Sequence, residues 1–246
     1  MLDRLAAELG AHPLADPDPE TQHCARLLLT LHRRGEGAGK GRIADTHALR
    51  AVRLLQRAFA DQPRELPVRV ALGRTLAGLR VDPDSPDLLD ARADHAQALG
   101  EFGQVEAAGA ACAALLADLR RILGQDHPDT LKVRNSIAYF RAQSGEVAAA
   151  LEDSTGLLAD RERILGPDHP GTLNVRNNIA YWRAESGEIA AALADFELLL
   201  ADKERVLDIG HPDLQLTRDW IAHLRKRLDT RSPNGTGDYR NRWSNW

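Results

Sequence analysis

Aromatic residues are scarce in this chain, 4% of 246 positions, and there is a single methionine. A core with so few rings has to be filled by aliphatic side chains. Alanine and leucine dominate the apolar set and β-branched residues are few, a mixture that favours helix over strand. Only two cysteines are present, Cys24 and Cys112, too few for a disulfide framework. Each stands in an apolar helical stretch and is expected to be a buried thiol in a reducing cytoplasm. No apolar run approaches the roughly 18 residues that span a bilayer, so no membrane partner is expected. The first 14 residues place Asp3, Arg4 and Glu8 in a helical pattern where a secretory leader needs an apolar stretch. A basic excess is also missing. Thirty-two Lys and Arg face 36 Asp and Glu, a formal net charge of −4, which argues against a nucleic-acid partner. With 28% charged and 43% apolar residues, the composition is that of a soluble folded protein.

Motifs that carry chemistry are lacking as well. The segment Gly35-Glu36-Gly37-Ala38-Gly39-Lys40-Gly41 is glycine-rich. A phosphate loop, however, needs glycine where Arg34 stands and Ser or Thr where Gly41 stands. His23 and Cys24 are neighbours on a helix and so do not face one another. His127, His169 and His211 lie one repeat apart, outside any short metal-ligand spacing. They are expected to pack as linkers between repeats. The runs Arg161-Glu162-Arg163 and Lys203-Glu204-Arg205 read as exposed, charge-mixed helix ends. No nucleophile, base and orienting group converge in any motif. The chain is therefore expected to be non-enzymatic, with no cofactor and no metal.

A repeat is what the sequence does have. Asp126-His127-Pro128 recurs as Asp168-His169-Pro170 after 42 residues, and Gly210-His211-Pro212 follows after another 42. Asp84-Ser85-Pro86 stands one period earlier. Arg92, Arg134, Arg176 and Arg218 are in register, as are Gly103, Gly145 and Gly187, and Ala96, Ala138, Ala180 and Ala222. Between 126–167 and 168–209, 28 of 42 positions are identical.

Each unit reads as a helical hairpin. Proline at 128 and 170 suits a first helical position, where the missing N–H costs little. Helical periodicity runs to Ser144 and Ser186. Gly145 and Gly187 then supply a residue free to adopt the left-handed conformation. A second helix rich in Ala and Leu follows, to about Leu165 and Leu207. Ala138, Ala150, Ala180 and Ala192 allow close helix approach, with Ile137, Ile179, Leu151, Leu158 and Leu200 as apolar filling. A lone hairpin cannot bury its apolar face, so neighbours must stack. The rhythm extends backwards, with helices expected near 2–10, 20–33, 46–60 and 65–80. The organisation expected is divergent helical repeats over 1–83, three 42-residue repeats over 84–209, a capping helix over 210–230 and a flexible polar tail over 231–246. Tyr239, Trp243 and Trp246 are unusual in such a tail.

Leu173-x-x-Arg176-Asn177-Asn178-Ile179-Ala180, Gly187 and Ala191-Ala192-Leu193 resemble the tetratricopeptide repeat. The 42-residue period and the Leu-Gly-x-Asp-His-Pro-x-Thr-Leu linker resemble the variant found in kinesin light chains and in bacterial signal-transduction ATPases with numerous domains. The likeness is specific over 84–229. This chain departs from the pattern in carrying Arg134 and Arg176 where the family has a large aromatic residue early in the first helix. These arginines are expected to brace stacked repeats. The resemblance implies an all-α, right-handed α-solenoid of stacked hairpins, about eleven helices in all, with a C-terminal capping helix.

It also implies a concave groove lined by the first helix of each hairpin. Position by position, that selects Lys132, Asn135, Ser136, Tyr139 and Gln143, then Asn174, Asn177, Asn178, Tyr181 and Glu185. The preceding copy offers Asp90, Asp94, Gln97 and Glu101; the cap offers Asp219, Trp220, His223, Lys226 and Arg227. Asparagine amides match the donors and acceptors of an extended peptide, and tyrosine adds a stiff surface with a polar tip. Asn177 and Asn178 could instead join stacked helices by hydrogen bonds. The expected function is a cytoplasmic scaffold binding a protein or peptide in the groove. The alternatives are a sensor or regulatory module acting with a signalling ATPase or effector, and a self-assembling solenoid associating through its ends or tail.

Overall fold

The computed structural model describes residues 81–229, together with Leu49, Val52, Arg53, Gln56, Arg69, Val70, Leu72, Gly73 and Leu76. Seven α-helices and no strand stand among the described residues. They are α1 (Pro86–Glu101), α2 (Val105–Ile122), α3 (Pro128–Gln143), α4 (Val147–Leu165), α5 (Pro170–Glu185), α6 (Ile189–Val206) and α7 (Pro212–Asp229). The expected count of about eleven is not supported. The four helices expected near 2–10, 20–33, 46–60 and 65–80 lie outside the described residues, apart from the isolated positions named. The tail over 231–246 lies outside them too. The chain divides into two compact units, 1–124 and 125–246.

The repeated punctuation of the sequence becomes repeated helix ends. Pro128, Pro170 and Pro212 open α3, α5 and α7. The preceding histidine is extended at α3 and α5, with ψ of 141° and 137°, and caps the helix through its ring. Nδ1 of His127 accepts from the Asp129 N–H at 3.2 Å, Nδ1 of His169 from Gly171 at 3.0 Å, and Nδ1 of His211 from Asp213 at 3.2 Å. These rings therefore satisfy orphan donors of the first turn. They are not packed between repeats as linkers.

Each first helix ends in the same way. Gly145 has φ of 92° and donates to the Ala142 carbonyl at 3.0 Å, while the Glu146 N–H reaches back to Arg141 at 3.0 Å. Gly187, also at φ of 92°, repeats the arrangement with Ala184 and Arg183. This is the paired 6→1 and 5→2 closure that a glycine in the left-handed region makes possible. It turns the chain sharply enough for the second helix to lie against the first.

In the first unit α1 packs on α2. In the second, α3 packs on α4, α4 on α5, α5 on α6 and α6 on α7. Close approach comes from alanine: Ala150, Ala180, Ala184 and Ala192 are fully buried. The main core of the second unit adds Leu173, Phe196, Leu199, Ile221 and Leu224 around the rings of Tyr181, Trp182 and Trp220.

Ion pairs repeat with the same period. Arg92 pairs with Asp118, Arg134 with Asp160 and Arg176 with Asp202, at 2.7, 2.7 and 2.6 Å. Each spans the two helices of one hairpin, so these arginines brace a hairpin internally and do not link stacked repeats. A second arginine ties each carboxylate to the aspartate before the first helix. Arg121 joins Asp118 to Asp84, Arg163 joins Asp160 to Asp126, and Arg205 joins Asp202 to Asp168.

Candidate functional site

The first helices of the second unit carry the candidate face. Side-chain contacts connect all three. The Asn178 amide of α5 donates to Oδ1 of Asn135 on α3 at 3.2 Å. Tyr139 of α3 meets Trp182 of α5 with centroids 5.9 Å apart, and Tyr181 of α5 meets Trp220 of α7 at 5.3 Å, edge to face. Trp220 is also stacked on Phe196 at 5.7 Å and meets the ring of His223 at 5.7 Å. Such pairs prefer these edge and offset geometries and add packing energy beyond their buried area.

The selected residues fall into two groups. Lys132 is exposed, and Asn135, Ser136, Tyr139, Asn174, Asn178 and His223 are half-buried. Asn177, Tyr181 and Trp220 are buried, at 4%, 8% and 7% exposure. The two asparagines are adjacent in sequence, and about 100° of helical rotation separates them. Asn178 reaches back to α3, whereas no described residue donates to Oδ1 of Asn177. One period on from the Asn135–Asn178 pair, the corresponding positions are Asn177 and Trp220. The indole ring has no carboxamide to extend the ladder. Tyr181 and Trp220 belong to the aromatic core beneath the face, where they fix the stacking of α5 and α7.

Local electrostatics differ along the face. Burial raises the Tyr139 phenol above its usual range, a shift opposed by its hydrogen bond with Gln143. The ring stays neutral and acts as a hydrogen-bonding group. Burial lowers the His223 imidazole, helped by the charges of Arg227 and Lys226 and opposed by Glu185. In the first unit, the acidic set on α1 has partners. Asp90 and Asp94 bind Arg53, while Glu101 binds Arg69 at 2.5 Å and accepts from Gln97.

Two buried cations contradict the sequence reading. Arg161 and Lys203, expected on exposed helix ends, are 7% and 5% exposed. Arg161 donates to the carbonyls of Gly171 and Leu131, tying the starts of α5 and α3 to α4. Lys203 donates to the Thr217 hydroxyl of α7 at 3.1 Å. Burial lowers both groups from their ordinary values. The clue lay in the register, since the same position in the first hairpin is the buried Leu119.

The described residues offer little reactive chemistry. The Cys112 thiol is buried and pushed up to about 12, which removes its nucleophilic form at neutral pH. No group of three or more His, Cys, Asp or Glu among the described residues is placed to hold a metal ion. No described helix is long and apolar enough to cross a membrane.

Comparison with known proteins agrees with this architecture. Residues 133–205 match the family model described as Tetratricopeptide repeat. No curated protein matches the chain. The fold is similar to that of a kinesin-light-chain-type protein from Podosopora anserina with nearly identical TPR-like repeats. That likeness has 22% identity and a TM-score of 0.59, covering 74% of this chain and 88% of that one. It is also similar to BtubC (BKLC) from P. vanneervenii, at 16% identity and a TM-score of 0.62, covering 87% of this chain and 85% of that one.

Proposed function

We propose that this tetratricopeptide-repeat array of the kinesin-light-chain-like type is a non-enzymatic scaffold. It binds a peptide or a protein segment across the first-helix face of α3, α5 and α7. Repeats of this kind generally mediate protein–protein contact, and their stacked helices present extended surfaces for it. The observation that carries the reading is the row of solvent-reaching polar side chains on adjacent helices: Lys132, Asn135, Ser136, Tyr139, Asn174 and Asn178. Their amide, hydroxyl and ammonium groups can hydrogen-bond an extended main chain. The buried rings of Tyr181 and Trp220 hold the helices that present them, so the surface is preorganised and little is lost to ordering on binding. The organisation we propose is three hairpins over 84–209 closed by a cap over 210–230, acting in the cytoplasm.

The test is affinity capture from lysate of the source cells, with wild type beside a Lys132→Ala, Asn135→Ala, Asn174→Ala variant. None of these side chains is buried, so the far-ultraviolet circular dichroism and Tm should change little. The reading expects a partner retained by wild type and reduced at least about tenfold by the variant, which is about 1.4 kcal/mol. Equal retention by both proteins sinks it. A signalling ATPase as the captured partner would establish the regulatory form of the same function.

A further inference from the structure

Histidine caps on α3, α5 and α7 work only while the ring is neutral. Each uses Nδ1 as an acceptor for the second N–H of its helix, at 3.0–3.2 Å. A proton on Nδ1 replaces the acceptor with a second donor, aimed at an N–H. It also puts a positive charge at a helix N-terminus, where the macrodipole disfavours it. Histidine is the side chain that undergoes this change in the range of pH 5 to 8.

The surroundings of the three rings differ. Asp129 is two residues beyond His127, and its carboxylate lies 3.5 Å from Nδ1, close enough to pair with the protonated ring. The other charges there, Asp126 and Arg163, already pair with one another at 2.9 Å. Asp213 is likewise two residues beyond His211, with Lys203 of α6 acting on that carboxylate and Asp208 in the linker before it. At His169 the corresponding residue is Gly171. A Cβ built on Gly171 would lie 2.9 Å from Nη1 of Arg161 and 3.2 Å from Nδ1 of His169. The α4 guanidinium and the imidazole therefore converge on this glycine. The nearby carboxylate, Asp168, is engaged by Arg205 of α6.

We infer that the start of α5 at His169 is an acid-labile joint of the array. Protonation of the ring releases the first turn of α5, while the start of α3 keeps the Asp129 carboxylate beside its ring to compensate. The turn at risk is small and defined. Gly171 donates to the ring, and Thr172 and Leu173 donate to the His169 carbonyl at 2.8 and 3.0 Å. The same turn receives Arg161, which also holds Leu131, so loosening it loosens the tie between consecutive hairpins.

The experiment is hydrogen exchange on the full chain at pH 7.5 and pH 5.0, expressed as protection factors so that the intrinsic pH dependence of exchange cancels. Protection at 171–173 should fall about fivefold on acidification, the population change expected for a lost cap. At 129–131 the fall should be less than about twofold. His169→Asn keeps an uncharged cap and should hold protection at 171–173 unchanged between the two pH values. Asp129→Asn removes the compensating charge at α3 and should make 129–131 as acid-sensitive as 171–173. Equal losses at 129–131 and 171–173 would overturn the inference, as would an acid response that survives in His169→Asn.

Discussion

Lys203 and Arg161 occupy one position in successive hairpins, and in the first hairpin that position is the buried Leu119. The comparison within one molecule makes the cost of the cations testable. Burial disfavours the ammonium of Lys203, so its folded-state value lies below that of the unfolded chain. The unfolded state then binds more protons, and stability rises with pH through the window between the folded-state value and the ordinary lysine value. Below that window the penalty is present in full. Lys203→Leu should therefore raise Tm by about 2–4 °C, roughly 1 kcal/mol for a chain of this size. It should also flatten the alkaline rise seen in thermal melts of wild type. Arg161 behaves differently because it holds two backbone carbonyls on two helices. Arg161→Ala should lower stability by about 2 kcal/mol in urea titrations, since bonds to a charged donor are the stronger class. The adjacent asparagines separate in the same way. Asn178→Ala loses the bond to Asn135, whereas Asn177→Ala removes a buried oxygen with no described donor, and should be close to neutral.

At the scale of the element, each hairpin of the second unit is a first helix opened by His-Pro, a glycine hinge and an alanine-rich second helix. The hinge depends on backbone conformation alone. A Cβ added at Gly145 or Gly187 would meet nothing within 4 Å, yet both residues sit at φ of 92°. Gly187→Ala should thus cost about 1 kcal/mol by strain without steric conflict, measurable as a shift of the denaturation midpoint at constant m-value. Most of this level was legible in the chain, because Pro, Gly and the 3.6-residue period act locally. The capping role of the histidines was missed. Histidine is an uncommon cap, and the alternative of ring packing fits the same spacing. The burial of Arg161 and Lys203 was missed because their neighbours Glu162, Arg163, Glu204 and Arg205 are exposed and mask the one inward residue in each run.

At the scale of the molecule, α7 differs from the first helices before it in its outward face. Its outward positions correspond to those of α5 that lie against α6. There, Leu173, Asn177 and Ala184 are buried; on α7 the same positions are Gln215, Asp219 and Lys226, all exposed. Gln215 donates to Asp219 at 2.8 Å, one turn apart. A polar outer face of this kind is what a capping repeat carries in arrays of stacked hairpins. Restoring the interior residues with Gln215→Leu, Asp219→Asn and Lys226→Ala should create a concentration-dependent dimer or larger species in sedimentation velocity. Wild type at the same concentrations should show no association through this face.

The sequence by itself determined the period, the glycine hinges and, to within a residue or two, the helix boundaries over 128–229. These follow from local rules of backbone conformation and from identities one repeat apart. Only the tertiary structure decided which of the polar first-helix residues reach solvent. Helical spacing groups residues on a face, but it cannot say how many faces are covered. The inner helix α5 is packed by α4 and by α6, so Asn177 and Tyr181 are buried while Asn174 and Asn178 stay open. Trp220 went inward for the same reason. A lone helix would expose it, whereas the stacked array places Phe196 and Tyr181 against its ring.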